Sequence, residues 1–116
     1  MTHRDGFLAY LRAYEARDIA AVGQLMADDI TLRDWKIRVC GKPAALAETQ
    51  ANFAAVEHLQ IEVLRLYEAE HSVAGELRIV INQRDELFVV DTLDFNAAGQ
   101  ICAIRAFVGR GDNATP

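Results

Sequence analysis

The sequence predicts an α+β domain in which three N-terminal helices pack on a strongly curved, mainly antiparallel β-sheet. Apolar residues recur at helical spacing as far as about His58, and beyond it period-two alternation takes over, broken by short polar or glycine-containing turns. A third observation is the stretch Leu87 to Phe95, LFVVDTLDF. Its odd positions, Leu87, Val89, Asp91, Leu93 and Phe95, set one carboxyl group in the middle of a row of large apolar side chains. That row must face the core, so Asp91 goes in with it. A carboxylate among hydrocarbon finds donors, keeps its proton, or is placed there for a task.

Thr2 followed by Asp5 reads as a capping box, and Phe7, Tyr10, Leu11 and Tyr14 then form one apolar stripe, which defines the first helix. Both tyrosines face inward and their hydroxyls need partners. Asp18 is placed to cap a second, short helix carrying Ile19, Val22, Leu25 and Met26 and ending near Ala27. Asp28 and Asp29 read as a solvated corner. In Ile30 to Asp34, strand parity puts Ile30, Leu32 and Asp34 on one side, a second carboxylate on an apolar face, although a strand end could also release Asp34 into a loop. Trp35 to Val39 continues that strand or forms a short second one. Gly41 and Pro43 open the longest helix, which is alanine-rich, carries Leu46, Gln50, Phe53 and Val56, and runs to about His58. Leu59–Glu68, Ser72–Ile81, Glu86–Phe95 and Gln100–Val108 then read as an antiparallel meander. Several of its strands are apolar on both faces, so the face away from the helices is expected to meet a second subunit.

At 116 residues the chain makes one domain, expected over residues 1–110, with a frayed tail at 111–116. Its formal net charge is −5, and no cluster of Lys and Arg offers a surface for nucleic acid. No apolar run is long enough for a bilayer, and charges interrupt the N-terminus where a signal peptide would be apolar, so a cytoplasmic address is expected. Cys40 and Cys102 read as two buried free thiols, and His3, His58 and His71 are too scattered for a metal site.

The order helix, helix, short strand, long helix, four strands resembles the nuclear transport factor 2-like (NTF2-like) cone, and in particular its ketosteroid isomerase and SnoaL-like branch. The resemblance covers roughly Phe7 to Arg110 and is carried by EARDIAAVGQLMADDITLRD and DTLDFNAAGQICAIRAFVG. Bacterial ketosteroid isomerases use a tyrosine on the first helix, an aspartate base after the second, and another aspartate on the penultimate strand. An ungapped match puts Tyr10 and Asp34 on the first two positions, and matching the closing hairpins through Phe95-Asn96 puts Asp91 on the third. Strand parity had already singled out both carboxylates.

What the resemblance implies is cofactor-free, metal-free proton transfer on a small hydrophobic carbonyl compound, in a homodimer formed through the open sheet face. Asp34 would be the base, while Tyr10 and a protonated Asp91 would donate to the enolate oxygen; this division of labour is the one known for ketosteroid isomerase. Tyr14, Trp35, Phe53, Val89 and Phe107 would line the substrate pocket. The chain departs from the steroid enzymes between Asp34 and Gly41, where it is slightly shorter and carries Trp35 in place of a common proline, so the mouth of the cavity differs before the acid and base do. A SnoaL-like cyclase acting on a polyketide, and a non-catalytic binding or dimerisation module, are the alternatives, because one fold hosts many functions.

Overall fold

Thr2 starts the first helix by accepting a hydrogen bond from the Asp5 backbone while the Asp5 carboxylate accepts from the Thr2 backbone, closing the capping box. The computed structural model describes residues 1–113. Its elements are α1 (His3–Glu15), α2 (Ile19–Leu25), β1 (Met26–Arg33), β2 (Arg38–Cys40), α3 (Lys42–Ala54), β3 (Leu59–Glu68), β4 (Ser72–Ile81), β5 (Asp85–Phe95) and β6 (Ile101–Gly109). One sheet takes the order β2-β1-β6-β5-β4-β3, with the β3–β6 meander antiparallel and β1 parallel to β6. Three helices on a mostly antiparallel, curved sheet is the predicted α+β architecture. Register shifts in β1/β6, β3/β4 and β5/β6 mark the bulges that bend it.

Boundaries differ from the pattern reading in two places, each for a tertiary reason. Met26, the last residue of the expected α2 stripe, already belongs to β1, where it pairs with Ile101 and is fully buried. Helix α3 ends at Ala54, not near His58: the amides of Glu57 and His58 leave the helix to donate to the Asn82 side chain at 2.8 and 3.1 Å. Its buried face is Ala45, Thr49 and Phe53, with Gln50 exposed. Asp28 and Asp29 do sit at an exposed bulge. Cys40 is exposed and Cys102 half-buried, so the expected pair of buried thiols is not found; both are free. Of the expected frayed tail, Gly111 packs against the Phe88 ring and Asp112 lies 3.6 Å from Arg65, while residues 114–116 lie outside the described residues.

At one end the helices seal the sheet. Phe7, Val22, Ile30, Val73, Leu93 and Ile101 form the core of that seal, all essentially inaccessible. Gly75 makes the closest approach possible: a Cβ there would stand 2.6 Å from the Phe7 ring. It is also the residue opposite Asp91 in the β4/β5 ladder. The bare backbone at Gly75 thus lets α1 settle onto the sheet beside Asp91 and carries Tyr10, one turn after Phe7, down with it. Gly75→Ala should destabilise the fold by about 1–3 kcal/mol through overpacking, read as a lower midpoint in urea unfolding. No helix among the described residues is long and apolar enough to cross a membrane.

Candidate functional site

Toward the other end the sheet curls away from the helices and leaves a cavity of about 380 Å³. Its walls are largely hydrocarbon, from Leu32, Phe53, Ile61, Leu77, Ile79 and Leu87. Tyr10 and Tyr14 enter it from α1, Asp91 from β5, and Asp34 and Trp35 from the β1–β2 turn. Val89 and Phe53 also line it.

Phe107 does not. In the β5/β6 ladder Asp91 faces Ala106 and Val90 faces Phe107, so Ala106 shares the cavity and Phe107 points to the opposite face. There it is 45% exposed, borders a separate outer groove with Leu64 and Val108, and has the Arg33 guanidinium 5.3 Å from its ring centre.

Asp91 is flanked on its strand neighbours by Gly75 and Ala106, which carry little or no side chain. That leaves room around the carboxyl. Asp91 is partly buried and lines the cavity, and the protein around the carboxyl decides its chemistry: loss of hydration raises its pKa to about 7. Burial likewise lifts the Tyr10 hydroxyl well above its ordinary value, helped by the neighbouring Tyr14 and Asp91. Burial raises Tyr14 too, opposed by a hydrogen bond from Asn52 and reinforced by the charges of Asp91 and Asp34. These groups therefore share one electrostatic environment. Among the described residues neither the Tyr10 hydroxyl nor the Asp91 carboxyl has a protein hydrogen-bond partner, yet no buried polar atom is stranded, so both open onto the cavity.

Asp34 is held differently. Its Oδ1 accepts from the backbone of Lys36 at 2.7 Å and Ile37 at 2.9 Å, and its own N–H bonds to Ile37. The carboxylate thus pins the turn that presents it, and Oδ2 has no protein donor among the described residues. The turn also sets Trp35, 45% exposed, on the cavity rim. Pattern reading missed three polar residues at this rim: Lys36, Glu48 and Asn52. Each is an ordinary surface residue type on a turn or helix face, and nothing in its spacing distinguishes it. Thr49, by contrast, is buried and satisfied by the Ala45 carbonyl at 2.8 Å. No group of three or more potential metal ligands occurs among the described residues.

The sequence matches the profile of the SnoaL-like domain over residues 7–104. No curated protein matches the chain. Among solved structures, a protein of Kribbella flavida DSM 17836 provisionally named a ketosteroid isomerase superposes with a TM-score of 0.82 at 19% identity, covering 98% of this chain and 82% of that one. The epoxide hydrolase/cyclase-like enzyme SalBIII, described in pyran ring formation in the polyether salinomycin, gives 0.80 at 22% identity over 92% and 90% of the two chains. A computationally designed binder of 17-OHP gives 0.76 at 23% identity over 87% and 88%. Identities this low establish a shared fold and leave the chemistry to the site.

Proposed function

The chain belongs to the SnoaL-like domain family of the NTF2-like superfamily, and from that premise we propose that it is a cytoplasmic, cofactor-free enzyme that moves a double bond in a small hydrophobic ketone through an enolate. The observation that carries this reading is that Asp34, Tyr10 and Asp91 open into one apolar cavity, with Asp91 holding its proton up to about pH 7. The Asp34 carboxylate takes a proton from the carbon between the carbonyl and the double bond. Tyr10 and protonated Asp91 donate hydrogen bonds to the oxygen as it gains charge. Asp34 then returns the proton two carbons further along, and the double bond moves into conjugation. Donors without protein partners at an apolar wall suit an oxygen whose charge exists only during the reaction.

The rim narrows the substrate. Asp34 and Glu48 face the cavity against the single cation Lys36 among its described lining residues, so an uncharged substrate is favoured over a carboxylate or phosphate. The test is to incubate the protein with uncharged β,γ-unsaturated ketones in D2O and follow them by NMR. Double-bond migration, with deuterium at the carbon that receives the proton or, in recovered substrate, at the carbon next to the carbonyl, supports the reading. Tight binding with neither migration nor exchange would instead favour a binding module, a use of this fold that the designed 17-OHP binder exemplifies. A cyclase on the pattern of SalBIII would use the same Asp34 as acid or base, and ring closure without exchange would identify it.

The proposal includes a homodimer through the outer sheet face, where Leu64, Phe107 and Val108 are 40%, 45% and 44% exposed. Phe107→Glu should convert the dimer to monomer in analytical ultracentrifugation, and a wild-type protein that sediments as a monomer would remove this part.

A further inference from the structure

Asn52 has no part in the chemistry above, yet it makes a directed contact with the site. From α3 its Nδ2 donates to the Tyr14 hydroxyl oxygen at 3.2 Å. A phenol carries one hydrogen, and an oxygen that accepts from an amide keeps that hydrogen for some other acceptor. Among the described residues Tyr14 has no further hydrogen-bond partner. The ring itself has little freedom: Phe53 packs against it edge-on, with centres 4.9 Å apart at 78°, and Tyr10 lies 5.8 Å away at 53°. The Tyr14 oxygen takes the Asn52 donor, and Tyr14 and Asn52 both line the cavity, so the hydrogen that Asn52 cannot accept while donating is left for a group that enters there.

We propose that Asn52 is a positioning residue, donating to Tyr14 so that the Tyr14 hydroxyl turns its hydrogen into the cavity as a further donor to the substrate oxygen. The inference rests on the proton-transfer reading for its purpose, but its geometry can be tested without turnover. Tyr14 senses the charges of both Asp91 and Asp34, so a donor here stands within the field of the base and of the neutral acid together. Asn52 is itself exposed on a helix surface, so replacing it should leave the fold intact.

The experiment is a pH titration of Tyr14 by NMR in protein labelled at the tyrosine Cζ carbon, for wild type and Asn52→Leu, with calorimetric binding of 2-naphthol to both. A naphthol oxygen stands in for an enolate oxygen. If Asn52 donates, its loss removes a partner of the phenolate and Tyr14 must titrate at higher pH. A lower titration, as when an acceptor is lost, overturns the proposal, and so does an unchanged one. Asn52→Leu should also weaken 2-naphthol roughly 3–10-fold. A titration that moves while this affinity does not would make Asn52 a support for the ring alone and would also overturn it. Asn52→Asp, which replaces the donor by an acceptor for the Tyr14 hydrogen, should raise the titration further and weaken 2-naphthol at least as much. Wild-type protein that fails to bind 2-naphthol counts against the proton-transfer reading, while the donor direction at Tyr14 still stands or falls on the sign of its titration.

Discussion

Asp34→Asn should lower the rate of carbonyl α-proton exchange by two to four orders of magnitude while leaving ligand affinity within a few-fold of wild type. The asparagine keeps the shape and can still accept from the amides of Lys36 and Ile37 through its side-chain oxygen, so the turn that presents residue 34 should persist. What it loses is basicity. The variant therefore separates chemistry from architecture better than alanine, which would also release the turn and move Trp35 on the rim. Exchange catalysed equally by wild type and Asp34→Asn would remove Asp34 as the base. If turnover falls only because KM rises, the residue binds and does not react.

The parts of the site legible in the sequence are those whose position follows from a period. Tyr10 and Tyr14 lie one helical turn apart on a stripe that had to face the sheet, and Asp91 lies in a row that had to face the helices. Asp34 was legible for the same reason: Ile30, Leu32 and Asp34 keep one parity, and Ile30 is fully buried. Phe107 shows where a period stops helping. Which face of β6 meets the cavity depends on its register with β5, and a register displaced by one residue exchanges the faces. The bulge between Asp94 and Phe95 sets that register, and an apolar alternation such as IRAFV gives no sign of it. The end of α3 was illegible because the competitor for its last amides, Asn82, lies in a distant turn with its own backbone in the left-handed region at φ 54°. Asn52 could not have been found without knowing that side chains near the end of α3 reach Tyr14 near the end of α1. Gly75 was visible only as a strand glycine; its meaning comes from Phe7 above it and Asp91 beside it.

Asp91→Asn should make the protein more stable at pH 8 and no more stable at pH 4, while impairing its chemistry. In the folded chain Asp91 keeps its proton up to about pH 7, whereas in the unfolded chain an aspartate releases it near 3.8. Between those values the native state binds more protons than the unfolded one, so stability declines as pH rises through that window and the loss is complete above the folded value. A shift of this size corresponds to roughly 4 kcal/mol, or a difference on the order of 15 °C in unfolding midpoint for a domain of this length. Asparagine has no proton to lose and escapes the penalty. The same titration governs the proposed reaction with the same sign: a protonated Asp91 donates to the enolate and an ionised one repels it, so the rate should fall as pH rises through about 7. In Asp91→Asn that alkaline fall should disappear along with part of the rate, since a neutral amide donates less strongly than a carboxylic acid. Thermal unfolding and the pH–rate profile of the two proteins check both halves. If wild type and variant show the same pH dependence of stability, Asp91 is hydrated and ionises as it would in water. The donor role would then pass to Tyr10 alone. A raised midpoint at pH 8 with a lower rate would instead identify Asp91 as a group kept against the interest of stability, which is the expected signature of a residue placed for its chemistry.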